Sequence, residues 1–234
     1  MKTQALLTFF ILLFAINSKA EEVGESRDLH PFREVSLRLS ANLFIEQGDE
    51  YRIEMNGRQE TLDRMIVEVV DHKLIIRFSY EDMLLGNFDG GKITLKVITP
   101  TIEMLSVAGS GNIIAEKPLE SRVLELFIAG SGDIKIANLT CERVEAEITG
   151  SGDVVLSGQP VKEIKVLIAG SGNIIASQLK TEYAKLRIAG SGNCDITADN
   201  FIDARIVGSG DIRYKGDALV ESSVSGSGKI QKIN

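Results

Sequence analysis

The chain has 234 residues, 26 basic and 33 acidic, with a formal charge of −7, no tryptophan and two cysteines. An acidic balance disfavours nucleic acid and anionic membrane surfaces as partners. The hydrophobic share of 44% is enough for a sizeable core.

The first twenty residues read as a targeting segment, not as part of a fold. Lys2 supplies positive charge, Leu6 to Ile16 is an apolar run, and Ser18-Lys19-Ala20 is a small-x-small site that predicts cleavage between Ala20 and Glu21. The run is short for a membrane span. No cysteine follows the cut, which argues against the bacterial lipoprotein route, and the mature chain is expected to be exported and not an integral membrane protein. Removing residues 1–20 leaves 24 basic against 33 acidic residues, a formal charge of −9.

From residue 21 to 99, alternating apolar runs predict strands at Val35 to Leu39, Leu43 to Gln47, Tyr51 to Met55, Met65 to Val70, Leu74 to Phe78 and Ile93 to Ile98. Turns such as Gln47-Gly48-Asp49-Glu50 and Asp71-His72-Lys73 separate them. No Pro- or Ser-rich linker follows. This segment therefore reads as an irregular cap continuous with what comes next, because a solenoid needs an atypical end.

Residues 100–234 are dominated by a repeat. Gly-Ser-Gly begins at Gly109, Gly130, Gly150, Gly170, Gly190, Gly208 and Gly226, at intervals of 21, 20, 20, 20, 18 and 18 residues. A fixed period in that range is the signature of a solenoid, one repeat per coil. Two, four and six residues before the corners at Gly130, Gly150, Gly170 and Gly190 stand apolar residues, as in Ile168, Val166 and Ile164, and alternation resumes beyond them, as in Ile174 and Ala176. That is the period of a strand with one buried face. A third apolar group, Leu119, Leu139, Val161, Leu179 and Phe201, falls opposite the corner and is expected to close the coil. Parallel strands joined this way are right-handed. The predicted fold is all-β, a right-handed parallel β-helix of about 18–21 residues per coil, its seven corners spanning roughly 29 Å.

Glycine is expected at the corners because a tight turn demands positive φ. The serines between them are read as a stacked hydrogen-bonding ladder rather than nucleophiles. Cys194 takes an inward position and Cys141 lies near a far turn two to three coils away, a separation that predicts no disulfide.

The exported N-terminus, the Gln47-Gly48-Asp49 hairpin turn, the Ile98-Thr99-Pro100 strand end and the repeated Ala-Gly-Ser-Gly-[Asn/Asp]-Ile resemble the putative auto-transporter adhesin head GIN domain family over roughly residues 30 to 215. The resemblance implies a bacterial cell-envelope setting and a right-handed β-helix, and brings no active site with it. No membrane barrel follows the repeats before Asn234, so surface delivery is expected to depend on another component.

Enzyme signals are weak. Gly86 to Lys92 nearly spells a phosphate-binding loop, but Ile93 stands where Ser or Thr belongs and a strand follows. His30 and His72 sit in no metal or acid cluster, no corner serine has a base in register, and no cofactor is implied. The residues after the corners form a column Asn112, Asp133, Asp153, Asn173, Asn193, Asp211 and Lys229, in which Asp133 and Asp153 are the candidate calcium ligands. One carboxylate or amide per corner suits a hydrogen-bonded ladder better than a metal site.

The outward face is the other candidate. Three residues before successive corners stand Phe127, Glu147, Leu167, Arg187, Arg205 and Ser223, and five before stand Glu125, Glu145, Lys165, Lys185, Asp203 and Glu221. Glu145 with Lys165 and Lys185 with Asp203 are expected cross-strand ion pairs of a solvated sheet. Phe127 and Leu167 are the exposed apolar points, and with Arg187 they mark a partner-facing surface. Three functions fit: an adhesin-like binding module for an envelope protein or glycan, a structural or self-assembling envelope protein, and a polysaccharide-acting β-helix enzyme. With ten mature Phe and Tyr residues and no Trp, the enzyme ranks last.

Overall fold

In the computed structural model, residues 22–79, 81 and 91–233 are described. Ala20, Glu21 and the glycine-rich stretch 86–90 lie outside them. The chain is 71% strand and 3% helix, arranged as a β-solenoid of about six turns.

One wall stacks β8 (Met104–Gly109), β11 (Val123–Gly130), β13 (Arg143–Gly150), β15 (Val161–Gly170), the second halves of β16 (Asn173–Gly190) and β17 (Asn193–Gly208), and β19 (Leu219–Gly226), all parallel. A second wall stacks β9 (Asn112–Ala115), β12 (Ile134–Thr140), β14 (Asp153–Gly158), the first halves of β16 and β17, β18 (Ile212–Lys215) and β20 (Ile230–Lys232). Along the first wall Ile128, Ile148, Ile168, Ile188 and Ile206 face one another coil by coil, and every one is buried. Beside them Leu126, Ala146, Val166, Leu186 and Ala204 form a second inward column. Alternating volumes let successive layers fill the interior without overpacking.

Leu119, Leu139, Val161 and Leu179 are buried where the third side was expected, Leu119 pairing with Leu139 through the short β10 (Leu119–Glu120). Phe201 is the exception. It pairs with Tyr183 and is only half-buried, while the next residue, Ile202, is fully buried. The reason is parity, since Phe201 stands an odd number of residues before Gly208 and so points out of the same strand that turns Ile202 inward.

The corner glycines serve two separate purposes. Gly150 has φ +133°, a conformation that side chains rarely adopt. Gly152 has no such constraint, but a Cβ on it would lie 1.9 Å from the carbonyl oxygen of Gly132 in the coil before. The first glycine makes the turn and the second lets the coils touch. Between them the serine contributes its backbone: Ser151 N–H donates to Gly130 O at 2.8 Å, and the same bond recurs at Ser131, Ser171, Ser191, Ser209 and Ser227. The serine hydroxyls are exposed and make no hydrogen bond among the described residues, so the expected hydroxyl ladder is a main-chain ladder instead.

The solenoid continues toward the N-terminus without Gly-Ser-Gly. β2 (Glu34–Arg38) pairs with β8, and β3 (Asn42–Gln47) with β9. Their other edges carry β6 (Lys73–Phe78) and β7 (Thr94–Thr99), again parallel. The end is then closed by antiparallel strands, β4 (Arg52–Arg58) on β7, β1 (Glu22–Asp28) on β4, and β5 (Met65–Val70) on β6. The β5–β6 turn is a tight hairpin with Asp71 and His72 at φ 50° and 63°. Gln47-Gly48-Asp49, by contrast, makes no hairpin. β7 lies between β3 and β4, because Leu95 and Val97 face Leu43 and Ile45 on one side and Met55 and Ile53 on the other. All six are buried, and direct β3–β4 pairing would forfeit that layer. A short helix, α1 (Gln59–Arg64), which alternation alone does not announce, links β4 to β5 and buries Leu62.

Both thiols are free. Burial pushes Cys141 up to about 11 and the fully enclosed Cys194 up to about 12. Each is therefore protonated and poorly nucleophilic at neutral pH.

Candidate functional site

The column after the corners is built of hydrogen bonds. Asp153 N–H donates to Asp133 Oδ1 at 3.1 Å, and Asn173 donates both its N–H and its Nδ2 to Asp153 Oδ1, at 3.0 and 2.8 Å. The pattern runs on through Asn193, Asp211 and Lys229. It begins one coil before the repeat, since Asn112 Nδ2 donates to Asn42 Oδ1 at 2.9 Å. Asn42 was hidden in the sequence because no glycine corner precedes it. The second oxygen of Asp133 holds Lys135 Nζ at 3.0 Å. From Asn112 to Asp211 each Oδ1 thus accepts the main-chain N–H that the next coil's residue would otherwise leave unpaired at the turn, whereas the N–H of Asn112 itself donates to Ala41 O. Among the described residues no group of three or more His, Cys, Asp or Glu side chains converges. The thermal midpoint is expected to stay unchanged when chelator is added, because nothing bound only to the native state is withdrawn. A calcium-dependent rise that disappears in the Asp133→Asn/Asp153→Asn variant would overturn the structural assignment.

The outer face of β11, β13, β15, β16 and β17 offers a different chemistry. Strand parity places four outward columns on it, and the unbroken register aligns them across the coils, the one next to the corner being Ala129, Thr149, Ala169, Ala189 and Val207. The column three residues before the corner reads Phe127, Glu147, Leu167, Arg187 and Arg205. Leu167 is 42% exposed, whereas Phe127 is half-buried rather than fully exposed. Leu167, Phe127 and Arg187 do come together, lining a depression of about 340 Å³ with Glu147. Of the two expected ion pairs, Lys165 Nζ meets Glu145 Oε1 at 2.9 Å. Asp203 pairs instead with Arg187, one coil back and one column over, which also donates to the Asp203 carbonyl oxygen. The longer, forked guanidinium satisfies both oxygens at once, which an ammonium directly opposite cannot. The Arg187 hydrogen bond holds the Asp203 carboxyl below its usual range. Lys185, opposite Asp203, is left without an ion pair among the described residues.

The outward column farthest from the corner reads Val123, Arg143, Glu163, Tyr183 and Phe201. It borders a larger depression of about 620 Å³ that crosses the coils along the solenoid axis. Tyr183 is 49% exposed and Phe201 lies beside it on the next coil. These two aromatics were not among the expected surface residues. The signal was available in their odd spacing from the corner, but the apolar character of Phe201 favoured an interior position.

A model of the putative auto-transporter adhesin, head GIN domain, matches residues 31–218. The chain belongs to that family. Among solved structures, a putative adhesin from Bacteroides fragilis NCTC 9343 is similar with a TM-score of 0.81 at 23% identity, covering 91% of this chain and 97% of the other. A putative lipid binding protein from Parabacteroides distasonis ATCC 8503 is similar with a TM-score of 0.76 at 25% identity, covering 92% and 98%. A putative adhesin from Parabacteroides merdae ATCC 43184 has a TM-score of 0.72 at 21% identity, covering 92% and 98%. No curated protein is significantly similar. Among the described residues no helix is long and apolar enough to cross a membrane.

Proposed function

We propose that this family member is an exported, non-catalytic binding module of the cell envelope, adhesin-like, with the outer face of β11, β13, β15, β16 and β17 as its working surface. The observation that carries the reading is the contrast between the two repeated surfaces. The corner column spends its polar atoms on its own backbone. The outer face holds apolar and charged side chains in two adjoining depressions on a rigid sheet, both bordered by Lys185. Binding residues on regular strands are held more precisely than on loops.

Beads coated with the mature protein should adhere to surfaces bearing envelope preparations or extracellular glycans. A Leu167→Asp/Arg187→Glu variant should lose that adhesion with an unchanged thermal midpoint. Undiminished adhesion by the variant would remove this face from the reading, and no adhesion by the wild type would remove the adhesin-like role. The name of one relative makes lipid vesicles a necessary arm of the same assay, and selective capture by them would redirect the ligand class.

A second reading, self-assembly, has its own support. In β19, Leu219 is 75% and Val224 42% exposed, although Val224 continues the buried isoleucine column. Exposed strand edges with apolar side chains favour pairing with another chain. Sedimentation velocity distinguishes the readings, since assembly through β19 predicts a concentration-dependent oligomer.

A further inference from the structure

The larger depression carries an inference that rests on the binding-module reading and sharpens it to a ligand class. Its seven charged residues divide unevenly. Glu163 is held by Arg143 Nε at 2.9 Å, Glu142 by Lys162 Nζ at 3.5 Å, and Asp203 by Arg187 from the neighbouring depression. Every acid is compensated. Arg122 and Lys185 remain, both exposed, neither making a side-chain ion pair or hydrogen bond among the described residues. Lys185 still lies within electrostatic reach of Asp203, but the lining as a whole carries four cations, Arg122, Arg143, Lys162 and Lys185, against three acids, a local positive balance in an acidic chain that favours an anion.

The shape restricts which anion. Arg122 and Lys185 are three coils apart, about 14 Å along the axis at the ordinary spacing of paired strands. Tyr183 and Phe201 lie at the Lys185 end. The ligand must therefore be elongated, carry negative groups along its length, and present apolar faces to an aromatic side chain. The floor consists of strands running across the groove, whose main-chain groups are paired between coils. An extended peptide binds sheets chiefly by completing an open edge, and this groove has none. A duplex nucleic acid or an anionic bilayer would face the charge of the whole acidic chain. A pyranose chain meets the requirements: its apolar faces suit Tyr183, its hydroxyls can donate to Glu142 and Glu163, and its carboxylates can accept from Arg122 and Lys185.

We propose that the groove between Arg122 and Phe201 is a binding site for an acidic polysaccharide, a uronate-bearing chain lying along the solenoid axis. The test is calorimetric titration of the mature protein with hexamers of galacturonate, hexasaccharides of hyaluronan and of alginate, neutral cellohexaose and a polyglutamate peptide. At least one acidic hexasaccharide should bind in preference to cellohexaose and polyglutamate, and more weakly as salt rises. Tyr183→Ala and the Arg122→Gln/Lys185→Gln pair should each weaken it about tenfold or more. Lys180→Gln, an exposed position that lines neither depression, should bind as the wild type does, and all variants should keep the wild-type thermal midpoint. Binding to none of the acidic glycans, equal affinity in Tyr183→Ala, or a match by cellohexaose or polyglutamate would overturn the proposal. Bead adhesion by wild-type protein that survives both groove variants would overturn this site while leaving the adhesin-like reading intact.

Discussion

Ile168→Ala is expected to destabilise the protein by about 2–5 kcal/mol, whereas Leu167→Ala should stay within about 0.5 kcal/mol. The two residues are adjacent and of nearly equal composition, so propensity and hydrophobicity cannot separate them. Position does. Ile168 is fully buried between Ile148 and Ile188, and its Cγ2 lies where a Cβ on Gly192 would have to go, so it also supports the corner of the next coil. Truncation leaves a cavity that stacked strands on both sides cannot collapse into. Leu167 faces solvent and Phe127's depression, so its loss should be felt in binding and not in folding. Urea melts of the two variants decide the matter, and equal losses or the reverse order would refute the strand parity.

Gly152→Ala should be as damaging, at roughly 3 kcal/mol or more, through a different mechanism. The new methyl would meet the Gly132 carbonyl oxygen at 1.9 Å, and that oxygen belongs to the main chain, with no flexible end to move aside. Relief requires the coils to part at the corner, which also strains the Gly152 N–H bond to Gly130 O at 3.2 Å. Gly109→Ala provides the control. Its φ of +119° is unfavourable for alanine, but nothing lies within 4 Å of the added Cβ, so backbone strain of about 1–3 kcal/mol is the whole cost. The midpoints of chemical denaturation should therefore fall in the order wild type, Gly109→Ala, Gly152→Ala. A Gly152→Ala variant as stable as Gly109→Ala would show that the coils are not in contact at this corner.

The calcium alternative and the ladder differ in what the Asp133 and Asp153 oxygens are doing. Spacing put these carboxylates in one column, and the same spacing is compatible with either chemistry. Only the positions of the neighbouring N–H groups distinguish a ligand set from a row of turn caps, and each Oδ1 accepts the next coil's main-chain donor. A similar limit applied to the outer face. Lys185 was paired with Asp203 by cross-strand register, yet Arg187 reaches that carboxylate diagonally. That exchange leaves Lys185 without a direct ion pair, though still in the field of Asp203, in a depression lined by four cations and three acids.

The sequence by itself determined the coil. Gly-Ser-Gly at intervals of 18 to 21 residues and alternation on either side are local, periodic properties, and a periodic fold reproduces them in every turn, so Ile148, Ile168 and Ile188 could be assigned inward without coordinates. The tertiary structure alone decided the cap, where β7 separates β3 from β4 and Gln47-Gly48-Asp49 makes no hairpin, because non-repeating strands choose partners by the fit of whole layers such as Leu43, Leu95 and Met55. It also decided the binding face. Which of the outward residues converge depends on register between coils and on how far each side chain reaches, and neither quantity is written in the composition of any one repeat.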